Sequence, residues 1–102
     1  MSVVDIAGAW KSVAGLVYII TQVGDMFVWR VVHKNGVTET GIGRFVNPGD
    51  KEEKPEVIAQ WNFHGGNVAA KDSSRCRGKV FLDDNLAVRI EWDDHDHFVQ
   101  RI

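Results

Sequence analysis

A chain of 102 residues, 44% hydrophobic and 25% charged, has the composition of one folded domain, and at that size roughly 60–65% of the unfolded surface is buried in a single core. Its 12 Lys and Arg are scattered and its net charge is −2, which argues against nucleic acid as the main partner, because phosphate binding needs clustered cations. No stretch approaches the ~20 apolar residues of a membrane span, the start Met1-Ser2-Val3-Val4-Asp5 lacks the pattern of a secretory leader, and the single Cys76 forms no internal disulfide; the expectation is a cytoplasmic protein with no membrane partner.

Along the chain the signals are those of strands and tight turns. Leu16 to Val23 and Met26 to Lys34 are rich in β-branched and aromatic residues and flank Gly24-Asp25, the pattern of a hairpin with a two-residue turn. Asn35-Gly36 then reads as a second two-residue turn of type I′, leading into a strand from Val37 to Val46. Pairing through these turns puts Leu16, Tyr18, Ile20, Gln22, Phe27, Trp29, Val31, His33, Thr38, Thr40, Ile42 and Arg44 on one face, expected to be the interior. The other face carries Thr21, Arg30, Lys34, Glu39, Gly41 and Gly43, together with the apolar Val17, Ile19, Met26, Val28, Val32 and Phe45. So apolar an outer face points to cover by another element or a second subunit, and a homodimer is the expectation.

The polar segment Asn47 to Glu56, with Pro48 and Pro55, reads as a surface loop. Val57 to His64 alternates, with Val57, Ala59, Trp61 and Phe63 on one side; Gly65-Gly66 turns the chain into Asn67 to Lys71, and Asp72-Ser73-Ser74 ends that strand. Cys76 to Leu82 and Leu86 to Trp92 form the next pair. A three-residue loop at Asp83-Asp84-Asn85 would align Cys76, Gly78, Val80, Leu82, Leu86, Val88, Ile90 and Trp92 on one face, whereas a two-residue loop would oppose Val80 to Arg89; the longer loop is preferred. Asp93 to Asp96 is the last turn and Phe98 to Ile102 the last strand. About eight antiparallel strands in chain order leave two open edges unless the sheet closes, so residues 1–102 are expected to form one all-β domain, an up-and-down meander closed into a small barrel, with Gly41, Gly43 and Gly78 at bends.

Asp5-Ile6-Ala7-Gly8-Ala9-Trp10 and the late Arg101 resemble the Gly-x-Trp signature and closing arginine of lipocalin-like (calycin-like) barrels. The resemblance implies a short N-terminal helical turn before the first strand and a plug in which Arg101 packs across Trp10, a contact favoured by guanidinium stacking on indole. The segment Tyr18, Ile20, Gln22, Val23, Gly24 and Trp29 is also similar to small bacterial lipocalin-like domains. Against lipocalins proper, the chain is short and lacks their disulfide and final helix, which argues against a large cup; eight short strands hold their own side chains or one small ligand.

Among the polar residues, Asp93-Asp94-His95-Asp96-His97 has metal-ligand chemistry. It is better read as a turn, because neighbouring strand side chains diverge, and no metal or cofactor is expected. His33 is expected at the interior rim, and Arg44 needs an anion or an escape to solvent if it points inward. Cys76 reads as inert packing. Nucleophile elbows, phosphate loops and zinc motifs are absent from the sequence, which argues against an enzyme. The function expected is binding of a small, partly apolar, aromatic or cationic molecule against Tyr18, Trp29, Trp61 and Trp92, with Gln22, His33 or Arg44 fixing a polar group. The alternative is a solid-cored interaction module acting through its outer face. A lesser one is a small enzyme in the barrel mouth, which requires a perturbed pKa at His33 or in the 93–97 cluster.

Overall fold

The structure, a computed structural model, describes residues 3–65, residues 71–72 through their backbone, and residues 75–102. The strands follow chain order: β1 (Gly8–Ser12), β2 (Val17–Val23), β3 (Met26–Val32), β4 (Thr38–Asn47), β5 (Glu56–His64), β6 (Lys71–Asp72), β7 (Cys76–Asp83), β8 (Leu86–Trp92) and β9 (Phe98–Arg101). Every pairing is antiparallel. The sheet runs β4-β3-β2-β1-β9-β8-β7-β5, and β4 pairs with β5 to close it. The short β6 lies beside β5 at Asn62 and Phe63, beyond the stretch of β5 that pairs with β7, so the barrel has eight staves. Closure leaves no long edge of unpaired backbone groups.

Among the described residues there is no helix, and the segment before β1, expected as a helical turn, is an irregular strap from Val3 to Ala7. Side-chain hydrogen bonds hold it instead: Gln22 accepts from the Ile6 N–H at 2.7 Å and donates to the Val4 carbonyl at 3.1 Å. Trp10 is wholly buried and donates its indole N–H to the Ile6 carbonyl at 2.9 Å. The Arg101 guanidinium lies 4.7 Å from the Trp10 ring centroid and donates to the carbonyls of Ala87, Ala7 and Asp5. Strap, Trp10 and Arg101 together close this end of the barrel. The turns joining β1–β2, β3–β4 and β8–β9, with the start of the β5–β7 connection, lie at the other end.

Two turns differ from expectation, and each moves a strand. Between β3 and β4 the loop has three residues: the His33 carbonyl accepts from the Gly36 N–H at 2.9 Å, the His33 N–H donates to the Val37 carbonyl at 2.8 Å, and Gly36 has φ +84°. This is a turn followed by a glycine bulge, which only a residue without Cβ enters cheaply. The one extra residue reverses every side chain of β4. Glu39, Gly41, Gly43 and Phe45 face inward opposite β3, and Thr38, Thr40, Ile42 and Arg44 face outward, the reverse of the sequence expectation. Packing explains the choice. An added Cβ at Gly41 would fall within the Trp29 ring, and one at Gly43 would lie 2.5 Å from the Phe27 ring, so the glycines leave room for β3's aromatics.

Between β7 and β8 the loop is the two-residue one, Asp84-Asn85, with φ values of 49° and 66° as type I′ requires. Leu82 pairs with Ala87 but Phe81 with Arg89, so Val88 is an extra residue that restores Val80 opposite Ile90. Cys76, Gly78, Val80, Ile90 and Trp92 therefore share the inner face as expected, while Leu82, Leu86 and Val88 are exposed and Ala87 is buried in their stead. Gly78 accommodates Trp92, whose ring would stand 2.7 Å from an added Cβ. The expected strand Asn67 to Lys71 lies mostly outside the described residues; Lys71 and Asp72 form β6.

Candidate functional site

The inner faces converge on an aromatic core of Trp10, Tyr18, Phe27, Trp29, Phe45, Trp61, Trp92 and Phe98. Within it lies one buried acid. Glu39, 1% exposed, is held by β4 at the loop-bearing end. Its Oε1 accepts from His33 Nε2 at 3.0 Å and from the Tyr18 hydroxyl at 3.4 Å; its Oε2 accepts from Trp29 Nε1 at 2.8 Å and His95 Nε2 at 2.7 Å. Four donors from β2, β3, the loop after β3 and the β8–β9 loop thus fill the acceptor positions of one carboxylate, which is what makes a buried charge tolerable.

The other ring nitrogen of His95, Nδ1, faces the Asp96 carbonyl at 2.8 Å. Carboxylates and carbonyls only accept, so both His95 nitrogens carry protons and the ring is an imidazolium paired with Glu39. The electrostatics of the site point the same way. Burial alone would push the Glu39 carboxyl up, but the hydrogen bond and charge of His95, with bonds from Trp29 and His33, hold it below the ordinary carboxylate range. Burial alone would lower His95, but its bonds to Glu39 and to the Asp96 backbone, with both acids' charges, keep it above the ordinary histidine value. Burial first, then the negative charges of Glu39 and Asp96, raises the Tyr18 hydroxyl far above the tyrosine range, so it stays a donor.

Rings enclose the imidazolium. Trp61, Trp29, Tyr18, Phe98 and Trp92 have centroids 4.7, 5.4, 5.5, 5.7 and 6.2 Å from that of His95, each edge-to-face with it. The His95 side chain is 5% exposed; His33, 27% exposed and against Phe63, stands at the rim. The Trp92 indole N–H is buried without a hydrogen-bond partner among the described residues. The 93–97 loop is anchored after His95: Asp96 accepts from the Ala14 N–H at 3.1 Å, and the His97 ring accepts from the Trp92 N–H at 3.0 Å.

No family model matches this chain, and no curated protein or solved structure matches it. The closed barrel is compatible with a lipocalin-like fold.

Of the residues the sequence singles out, Tyr18, Trp29, Trp61, Trp92 and His33 are brought together around Glu39 and His95. Gln22 is at the far end, its amide engaged by the strap and by the Gly24 carbonyl at 3.0 Å. Arg44 is exposed on the outer face, so no anion is needed to bury it. Cys76 is buried, and burial raises its thiol pKa. Among the described residues no group of three or more His, Cys, Asp or Glu side chains is placed to hold a metal; His95 points into the barrel while His97 caps the end of β8. The pairing of Glu39 with His95 at the centre of the site is not visible in the sequence. Glu39 was placed outside by the two-residue turn, although glycines at 41 and 43 across from Trp29 and Phe27 carry the signal for the other register. By sequence His95 reads first as part of an acidic turn, with metal binding or a barrel-mouth enzyme as the lesser readings of its cluster.

Proposed function

We propose that the barrel binds a small, partly apolar molecule at its loop-bearing end, against the rings around Glu39. The observation that supports this reading is the placement of a fully hydrogen-bonded carboxylate among aromatic rings beneath the loops, opposite the end closed by the strap, Trp10 and Arg101. A barrel needing only stability is served as well or better by apolar residues, since desolvating a charge pair consumes much of its attraction. Apolar lining with a few convergent polar groups is the chemistry of a ligand site. Burial of the ligand's apolar surface against Trp61, Trp92 and Tyr18 would supply affinity, and Glu39 and His33 orientation.

A second observation favours self-association. Val17, Ile19, Met26, Val28, Val32 and Ile42, each 43–59% exposed, lie on the outer face of β2, β3 and β4, where an open groove runs along Val17, Ile19, Val28 and Val32. Contiguous exposed apolar residues of this kind mark interaction surfaces, and the proposed occupant is a second copy of the chain.

Native mass spectrometry of protein purified without denaturation tests both readings. A small molecule retained by the folded protein and released on unfolding supports the ligand site. A dimer with no added mass, unresponsive to a panel of aromatic compounds, overturns it and leaves the interaction module.

A further inference from the structure

Resting on the ligand-binding reading, we infer that the site accepts a small organic cation, and that the imidazolium of His95 is a built-in occupant that such a ligand displaces when the 93–97 loop moves aside.

Three observations carry this. Outside its own loop, the environment of the His95 ring is that of a cation receptor: a buried carboxylate at 2.7 Å and aromatic centroids at 4.7 to 5.7 Å from Trp61, Trp29, Tyr18 and Phe98. Cations are held favourably by aromatic rings within ≈ 6 Å, the more so when desolvated. Next, the ring that fills this space comes from a connection. Glu39, Tyr18, Trp29 and Trp61 belong to β4, β2, β3 and β5, which pair with one another and not with the 93–97 loop. The backbone of that loop bonds the rest of the chain through Val13 N–H to the His97 carbonyl at 3.1 Å, Asp93 N–H to the Arg77 carbonyl at 2.8 Å and Asp94 N–H to Cys76 Sγ at 3.3 Å. Lastly, the Trp92 indole N–H beside His95 is a buried donor with no acceptor among the described residues, which His95 does not satisfy and a ligand carrying an oxygen or nitrogen acceptor would.

The ligand class follows. An anion in this space would meet the negative charge of Glu39. A neutral ring gains the aromatic contacts but leaves Glu39 without the charge that His95 supplies. A flat cation about the size of imidazolium replaces the histidine group for group. Because His95 occupies the site, any such ligand binds the intact chain more weakly than the site itself allows, by the fraction of time the loop is out.

The test uses His95→Gly, which opens the space, at pH 6, with imidazole as the cationic probe and pyrazole as its neutral counterpart of equal size, read by tryptophan fluorescence and by proton NMR of the indole N–H groups. The expected result is imidazole binding at least tenfold tighter than to the unsubstituted chain and at least tenfold tighter than pyrazole, with the Trp29 and Trp92 indole signals shifted. Adding Glu39→Gln should remove the preference for imidazole. Equal binding of imidazole and pyrazole overturns the cation assignment but leaves a ligand site. Binding of neither, by a variant whose NMR spectrum shows the barrel folded, overturns this inference and leaves the ligand-binding reading to the native mass measurement. The imidazole-pyrazole comparison needs only the His95 variant, so it stands even if the Glu39 variant does not fold.

Discussion

At Glu39 a charged group is taken out of water, and the side chains around it offset the cost: four donors, one of them charged, bind its two oxygens. Gly41, two residues on, meets the opposite condition. It has to be without a side chain, because the Trp29 ring lies where a Cβ would be. Gly41→Ala is therefore expected to destabilise the barrel by ~2–3 kcal/mol or more, since the overlap is with a buried ring that is itself hydrogen-bonded to Glu39; urea unfolding followed by tryptophan fluorescence measures it, and a loss below about 0.5 kcal/mol would contradict the packing described, being the size of an ordinary surface effect. At this scale the aromatic residues were legible from their alternation along the chain. Glu39 was not, because nothing in its own neighbourhood, Thr38 to Thr40, distinguishes a wet carboxylate from a buried one; the distinction rests on partners 56 residues away in sequence at His95 and 21 away at Tyr18.

Each strand's direction and approximate span follow from its composition, but its face follows from the turn before it. The Lys34-Asn35-Gly36 loop shows how little separates the alternatives: Asn-Gly suits a two-residue turn, and the same glycine suits a bulge. Local sequence admits both. The choice belongs to the rings of Trp29 and Phe27, which fit over glycine and not over Thr40 or Ile42. The Asp84-Asn85 turn requires positive φ at both positions, and neither residue is the best for it. Replacing the pair by Asn-Gly is expected to raise stability by ~0.5–1 kcal/mol, because glycine enters the left-handed region without the Cβ contact. The check is the thermal midpoint of the double variant, which should rise; an unchanged or lower midpoint would count against a two-residue type I′ turn at this place.

For the whole molecule, the buried pair couples folding to pH in a definite sense. The Glu39 carboxyl titrates below its usual value of 4.5 in the folded chain, so its contribution is present above that value and lost as pH falls through the lower folded one. His95 titrates above its usual 6.5, so its contribution is full below that value and lost as pH rises through the folded one. The pair thus stabilises the barrel most between about pH 4.5 and 6.5. The difference in unfolding free energy between the unsubstituted chain and His95→Asn should peak in that window and shrink at alkaline pH; a difference that is flat from pH 5 to pH 9 would mean that His95 is not held as an imidazolium. The amino-acid sequence by itself determined an all-β meander of short strands, where its turns fall and most of its aromatic core, because alternation and turn residues are local properties read within a few positions. Only the tertiary structure decided which face of β4 is inside, and with it that Glu39 and His95 meet. The register of a strand is a choice between two nearly equal local turns, and it is settled by the fit of side chains brought together only when the barrel closes.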